Sequence, residues 1–251
     1  MRLISILAIA ALLGCGRFGF AQMDPDASTT DADADGTDAL LVGCDVTHPQ
    51  ALFCDGFEGS GMGPWDYAVE MDGLSQRVVT RAYRGTASLD NTIIDIDAYK
   101  AARWGKNAVF PGVNSGDIYM RAFYWLPSTT IVTDQLSILV TANGAPPYPS
   151  AFVLLTPGMI SVVDTTTATA ALDFPRDRWT CVELHIAVGT SGGADVNVDG
   201  TQVVTHSGVD TTVAGGYTNL DVGVHYATPA QGPAEVWVDE VVADYAPIGC
   251  N

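Results

Sequence analysis

The chain has 251 residues, of which 47% are hydrophobic and 16% charged, with 26 Gly and 13 Pro. That apolar share is too high for a wholly disordered chain, and the length fits one large β domain or two small domains. Lys+Arg number 11 against 29 Asp+Glu, a net charge of −18 that excludes a phosphate-binding surface, hence nucleic acid, and any electrostatic pull toward an anionic bilayer.

Residues 1–14 carry a positive Arg2 and then an apolar run, Leu3 to Leu13, too short to span a bilayer. The run ends in Leu12-Leu13-Gly14-Cys15, which resembles a bacterial lipobox. The resemblance implies lipidation of Cys15 (palmitate among the acyl chains) and a membrane anchor in the cell envelope, at the outer membrane or cell surface. Ordinary secretion with cleavage after Ala21 is the alternative, because Gly19-Phe20-Ala21 also offers small residues. No later stretch is long and apolar enough for a transmembrane helix.

Residues 15–43 read as a disordered acidic tether. Asp24, Asp26, Asp31, Asp33, Asp35 and Asp38 punctuate a segment with almost no large apolar side chain, so burial cannot offset its ordering entropy. Asp31-Ala32-Asp33-Ala34-Asp35-Gly36 matches the first half of a calcium loop, but the twelfth position, where a bidentate acid belongs, is Val42.

Cys15, Cys44, Cys54, Cys181 and Cys250 are the cysteines. With Cys15 given to lipid, four remain in an exported chain, an even number suited to two disulfides. Three pairings are possible; Cys44–Cys54 with Cys181–Cys250 is favoured, the first closing a short loop and the second pinning the chain end to a mid-chain strand. A zinc site is the alternative, unsupported by any C-x-x-C or close His pair.

From Cys44 to Asn251 the composition is that of one continuous domain. Period-two alternation in Val, Ile, Thr and aromatics predicts strands at 77–82, 92–96, 118–126, 135–141, 151–156, 159–164, 179–188, 194–198, 201–206, 220–226 and 234–244. Asp199-Gly200 predicts a tight hairpin turn, since both central residues must adopt positive φ. Many short antiparallel strands without helices imply an all-β sandwich or barrel.

Three pieces of sequence sharpen this. The opening Phe53-Cys54-Asp55-Gly56-Phe57-Glu58 with Trp65, the central Trp179-Thr180-Cys181-Val182-Glu183 with Val196-Asn197-Val198-Asp199-Gly200, and the closing Val236-Trp237-Val238-Asp239-Glu240-Val241-Val242 occur in that order. Together they resemble the concanavalin A-like jelly rolls, a superfamily that includes laminin-G-like modules, family 16 glucanases and several polysaccharide lyases. The resemblance implies an antiparallel β-sandwich and a glycan received on its concave sheet. It also implies a structural Ca2+ shared by Glu58, Asp239 and a carbonyl near Gly85.

Catalytic signatures of that superfamily are incomplete. Glu70-Met71-Asp72 lacks the second Glu that a glucanase needs for its acid–nucleophile pair. Gly189-Thr190-Ser191-Gly192-Gly193 fits G-x-S-x-G but precedes a strand rather than the helix of a nucleophile elbow, so it reads as a hairpin loop. The alginate-lyase signatures R-x-E-x-R and Q-x-H are missing; Tyr119-Met120-Arg121 and Val224-His225-Tyr226 are the closest fragments.

In 118–126 the alternation sends Ile118, Met120, Ala122, Tyr124 and Leu126 to one face, the expected core side. Tyr119, Arg121, Phe123 and Trp125 take the other, where aromatics beside an Arg suggest a platform for a sugar ring with a uronate carboxylate on the guanidinium. Asp221 and His225, outward on 220–226, would supply hydrogen bonds from a second strand of the same sheet; Tyr226 is expected on the core side. Glu183 and His185 point away from Val182, Leu184 and Ile186, and His185 and His206 read as strand surface. Lys and Arg concentrate between Arg77 and Arg121, a locally basic segment that suits an anionic glycan or a charged sheet edge. The expectation is therefore a surface-tethered glycan-binding β-sandwich, with a polysaccharide lyase or glycoside hydrolase of atypical site residues, or an adhesive envelope protein, as alternatives.

Overall fold

The computed structural model describes residues 43–143 and 150–250, which fall in one compact unit, Asp38–Asn251. The leader 1–14, Cys15, nearly all of the tether and the Asp31–Gly36 segment lie outside the described residues.

A single helical turn, α1 (Cys44–Thr47), precedes the strands β1 (Phe53–Asp55), β2 (Tyr67–Met71), β3 (Gly73–Val78), β4 (Ser88–Ile93) and β5 (Lys100–Lys106). Then come β6 (Gly116–Trp125), β7 (Leu136–Ala142), β8 (Ser150–Thr156), β9 (Met159–Val163) and β10 (Thr167–Ala171). The chain closes with β11 (Trp179–Val188), β12 (Gly192–Val198), β13 (Thr201–Val209), β14 (Asn219–Ala227) and β15 (Ala234–Asp244). One sheet runs β13-β12-β11-β6-β15-β4-β3 with β1 added beside β15; the other runs β10-β9-β8-β7-β14-β5-β2. Every pairing is antiparallel.

The period-two pattern does what the sequence predicts. Ile118, Met120, Ala122 and Tyr124 of β6 meet Leu136, Ile138 and Leu139 of β7 and Leu220, Val222 and Val224 of β14 in one core. A polar bond also crosses it: the buried Tyr124 hydroxyl donates to the Ile138 carbonyl at 3.0 Å, tying the two sheets together. Asp199 and Gly200 take φ 48° and 76° at the β12–β13 turn, the positive values a two-residue hairpin requires. Gly189–Ser191 is a hairpin connection between β11 and β12.

Both favoured disulfides are present, Cys44–Cys54 and Cys181–Cys250. They fasten the two ends of the domain onto the outer face of the eight-stranded sheet. Cys44, Val242 and Ile248 form a small second core there, with Ala51 and Tyr119 against it. Glu183 completes the fastening, its Oε2 accepting the Ile248 and Gly249 N–H groups at 3.0 and 2.7 Å. The opening and closing motifs meet as β1 on β15, Phe53 opposite Ala243 and Asp55 opposite Val241.

Four strands escape the alternation argument: β1, β2, β5 and β10. The strand expected at 92–96 lies earlier, at 88–93, and the one expected at 77–82 lies at 73–78.

Candidate functional site

The six residues expected in one groove are divided between the two sheets. Tyr119, Arg121, Phe123 and Trp125 do lie on the face of β6 away from the core, but that face belongs to the eight-stranded sheet and is covered by the chain itself. Arg121 is 0% exposed. Its Nη1 donates to the Gly249 carbonyl at 3.3 Å and meets His48 Nε2 at 3.4 Å, while Nη2 donates to the Glu240 carbonyl at 3.3 Å. Phe123 is stacked under Tyr83 at 3.7 Å, Tyr119 stacks on His185 at 4.3 Å, and Arg81 lies 4.0 Å over the Trp125 ring. The sugar platform is corrected to an intramolecular contact: the disulfide-held ends and the 81–84 segment occupy the faces a sugar would need.

The basic segment is likewise not a patch. Lys100 is buried, its ammonium donating to the Ile96, Pro229 and Gln231 carbonyls at 2.8, 3.2 and 2.6 Å. Lys106 pairs with Asp66 at 2.9 Å, and Arg77 donates to the Phe57 carbonyl at 2.5 Å.

Asp221 and His225 sit on the other sheet, at a cleft of about 390 Å³ lined by Tyr67, Arg103, Asn107, Asn219, Asp221 and His225, among others. Three strands build it. Gly105 of β5 stands opposite both Tyr67 of β2 and Asp221 of β14, so the three share one cross-strand row. A Cβ on Gly105 would collide with the Tyr67 ring and with Asp221 Oδ1; glycine lets the phenol lie across β5 and reach the carboxylate. The Tyr67 hydroxyl donates to Asp221 Oδ1 at 2.5 Å. Arg103 Nε stands 3.3 Å from Asp221 Oδ2, an ion-pair distance without hydrogen-bond alignment, and its Nη1 donates to the His225 carbonyl at 2.6 Å. His225 Nε2 is 3.3 Å from the same Asp221 Oδ2.

That last contact needs a local irregularity, because residues four apart on a regular strand are separated by roughly 13 Å. The β14 register shifts against both neighbours between Val222 and Ala227, and Gly223 takes φ 108°. The bulge also takes Tyr226 out of the core set; the expectation that it packs with Val222 and Val224 is corrected, and it stacks on Tyr99 at 5.2 Å instead.

Protonation follows from burial. The Tyr67 phenol is held well above its usual range, first by burial and then by the Asp221 charge. His225 is held below 6.5, first by burial and then by the Arg103 charge, against the opposing pull of Asp221. Near neutral pH the cleft thus presents a protonated phenol and a neutral imidazole on one carboxylate.

The expected calcium ligands converge on one turn. Glu58 accepts the Thr86 and Ala87 N–H groups at 2.8 and 3.0 Å and the Thr86 hydroxyl at 2.7 Å. Asp239 accepts the Tyr83, Arg84 and Glu240 N–H groups at 2.7, 3.2 and 2.8 Å. Gly85, at φ 66°, leaves room for the Glu58 carboxylate where a Cβ would clash. Burial pushes Asp239 up to about 8. Among the described residues no group of three or more His, Cys, Asp or Glu side chains gathers for a metal. Each carboxylate oxygen carries two lone pairs, so these donors leave acceptor capacity for an oxygen-seeking Ca2+.

No family model and no curated protein sequence matches the chain. Solved structures do. An endo-β-1,4-glucuronan lyase from the fungus Trichoderma reesei is 18% identical with a TM-score of 0.60, covering 77% of this chain and 95% of its own. The cellulose-induced protein Cip1 is 18% identical with a TM-score of 0.61, covering 79% and 100%. An alginate lyase from Chlorella virus is 11% identical with a TM-score of 0.50, covering 72% and 93%. Two antiparallel sheets packed face to face, and the likeness to these structures, make the fold a concanavalin A-like jelly roll.

Proposed function

We propose that the domain binds an extracellular polysaccharide in the cleft of the seven-stranded sheet. The observation that carries this reading is the convergence of Tyr67, Arg103, Asp221 and His225, from three strands, at one preformed cleft. Asn107 and Asn219 add amide donors and acceptors suited to sugar hydroxyls. Two of the similar structures are polysaccharide lyases, which supports a carbohydrate ligand. Two disulfides suit an oxidising compartment, and a lipid on Cys15 would hold the domain at the cell surface.

Cleavage of the bound glycan is the second reading, favoured by the Tyr67 hydroxyl and the His225 imidazole meeting on the two oxygens of the Asp221 carboxylate, two side chains of the types that move protons at one cleft. A Ca2+ held by Glu58 and Asp239 would act on the fold rather than on the sugar, neutralising a buried carboxylate and fixing the 83–87 turn.

A polysaccharide panel separates the two. Binding by calorimetry, followed by reducing-end and unsaturated-product assays, is run on wild type and on Asp221→Asn. Binding that Asp221→Asn weakens supports the cleft, and product formed only by wild type adds catalysis. Binding unaffected by Asp221→Asn removes the cleft reading.

A further inference from the structure

The cleft does not end at His225. Tyr99 immediately precedes β5, and the strand alternation of that segment puts Tyr99, Ala101, Arg103 and Gly105 on one face, opposite Ala102 and Trp104 of the core. Tyr99 is 55% exposed and stacks on Tyr226 of β14 with an interplanar angle of 30°. Ala101 lies outside the core cluster yet is only 3% exposed, so side chains on this face cover it. Its cross-strand partner is the half-exposed Met71. The tyrosine pair therefore continues the row that carries Arg103 and Gly105, roughly 13 Å along β5 from Arg103 at about 3.3 Å per residue, a span of two to three sugar units.

Charge at this end is spent or negative. Arg103 is paired with Asp221, and the Lys100 ammonium is sunk among three carbonyls. Asp134, which bonds the Thr228 hydroxyl at 2.6 Å, acts electrostatically on Tyr226. Asp95 and Asp97 stand exposed on the segment leading to Tyr99. A carboxylate-bearing sugar would meet repulsion here, whereas the C–H face of an uncharged pyranose would meet an aromatic ring.

We propose that Tyr99 and Tyr226 form a stacking subsite for an uncharged sugar unit of the same polysaccharide that occupies the Tyr67–Arg103–Asp221–His225 cleft. This rests on the cleft reading and adds to it a direction for the chain and a sugar class. The subsite makes affinity depend on ligand length, because only a chain long enough to leave the polar cleft reaches the tyrosines.

The test is a length series. Cello-, xylo- and manno-oligosaccharides from dimer to hexamer, with oligoglucuronates of the same lengths, are titrated into wild type, Tyr99→Ala and Tyr226→Phe, each checked by circular dichroism. Tyr99 is exposed enough for its truncation to leave the fold intact, and Tyr226→Phe keeps the ring. The proposal expects affinity for a neutral series to rise about five- to tenfold on lengthening in wild type and in Tyr226→Phe, and to stay flat in Tyr99→Ala. A length-dependent gain that survives in Tyr99→Ala, or that is as large for the oligoglucuronates, overturns the subsite while leaving the cleft standing. If no oligosaccharide binds wild type, or Asp221→Asn binds every length as wild type does, the cleft falls and the subsite with it.

Discussion

Gly105→Ala adds one methyl group at the floor of the cleft. The backbone tolerates it, since Gly105 is not among the glycines with positive φ. The obstacle is steric: the new Cβ would overlap the Tyr67 ring and Asp221 Oδ1, which face Gly105 from strands on either side. Tyr67 stands on the sheet edge and can swing outward, giving up its bond to Asp221. A hydrogen bond to a charged group contributes about 1.5–3 kcal/mol. The lower chain entropy of Ala in the unfolded state returns about 0.4–1 kcal/mol. The net loss is about 1–2 kcal/mol, or a fall in Tm of about 3–6 °C for a domain of this size. Glycan affinity falls by about tenfold or more, as the phenol, carboxylate and guanidinium lose their common arrangement. Scanning calorimetry reads the first effect and titration calorimetry the second. A Gly105→Ala protein with wild-type Tm and wild-type affinity refutes the row-and-floor geometry.

Arg121→Met removes a buried cation held by the Gly249 and Glu240 carbonyls and His48 and lying over the Phe123 ring; it lowers stability by about 3 kcal/mol, read by urea denaturation, and leaves glycan binding unchanged, whereas selective loss of binding would return Arg121 to the site. Excess chelator lowers the Tm of the purified protein, because an ion bound only by the folded state stabilises it by mass action; an unchanged melting curve and no metal by elemental analysis would remove the Ca2+ at Glu58 and Asp239. His225 gives a pH signature. Its folded pKa lies below 6.5, so the unfolded chain binds the proton first, and the contribution of His225 to stability is present above pH 6.5 and lost as pH falls from there to the folded pKa. His225→Gln should flatten that window, and an identical pH–stability slope in both proteins contradicts the assignment. Cys15→Ser releases the protein from membranes; retention at wild-type levels would defeat the lipid anchor.

What the sequence made legible follows the physics of alternation. Strands such as β6, β11 and β15 repeat large apolar residues at every second position, and their core faces fall where that pattern puts them. The Cys44–Cys54 disulfide, which closes a short loop, and the Asp199-Gly200 turn were equally local, whereas Cys181–Cys250 joins distant segments. Half of the cleft was not. β5 reads Lys-Ala-Ala-Arg-Trp-Gly-Lys, a helix-tolerant composition that becomes a strand through pairing with β2 and β14. Tyr67 sits on the short, exposed β2, which carries little apolar signal. The Gly105–Tyr67 overlap could not be seen without the register. Tyr119, Arg121, Phe123 and Trp125 illustrate the opposite error: alternation names the face of a strand, but which sheet holds the strand, and what covers it, depend on contacts far along the chain.

The most direct test of the central claim is to map where a bound glycan touches the protein, by backbone amide chemical-shift perturbation on titration with the best ligand of the panel. Binding in the cleft gives shifts along β2, β5 and β14, centred on Tyr67, Arg103, Gly105 and Asp221 and reaching Tyr99, with β6 undisturbed. Shifts centred instead on Tyr119, Phe123, Trp125 and Trp179 would place the ligand on the eight-stranded sheet and contradict it.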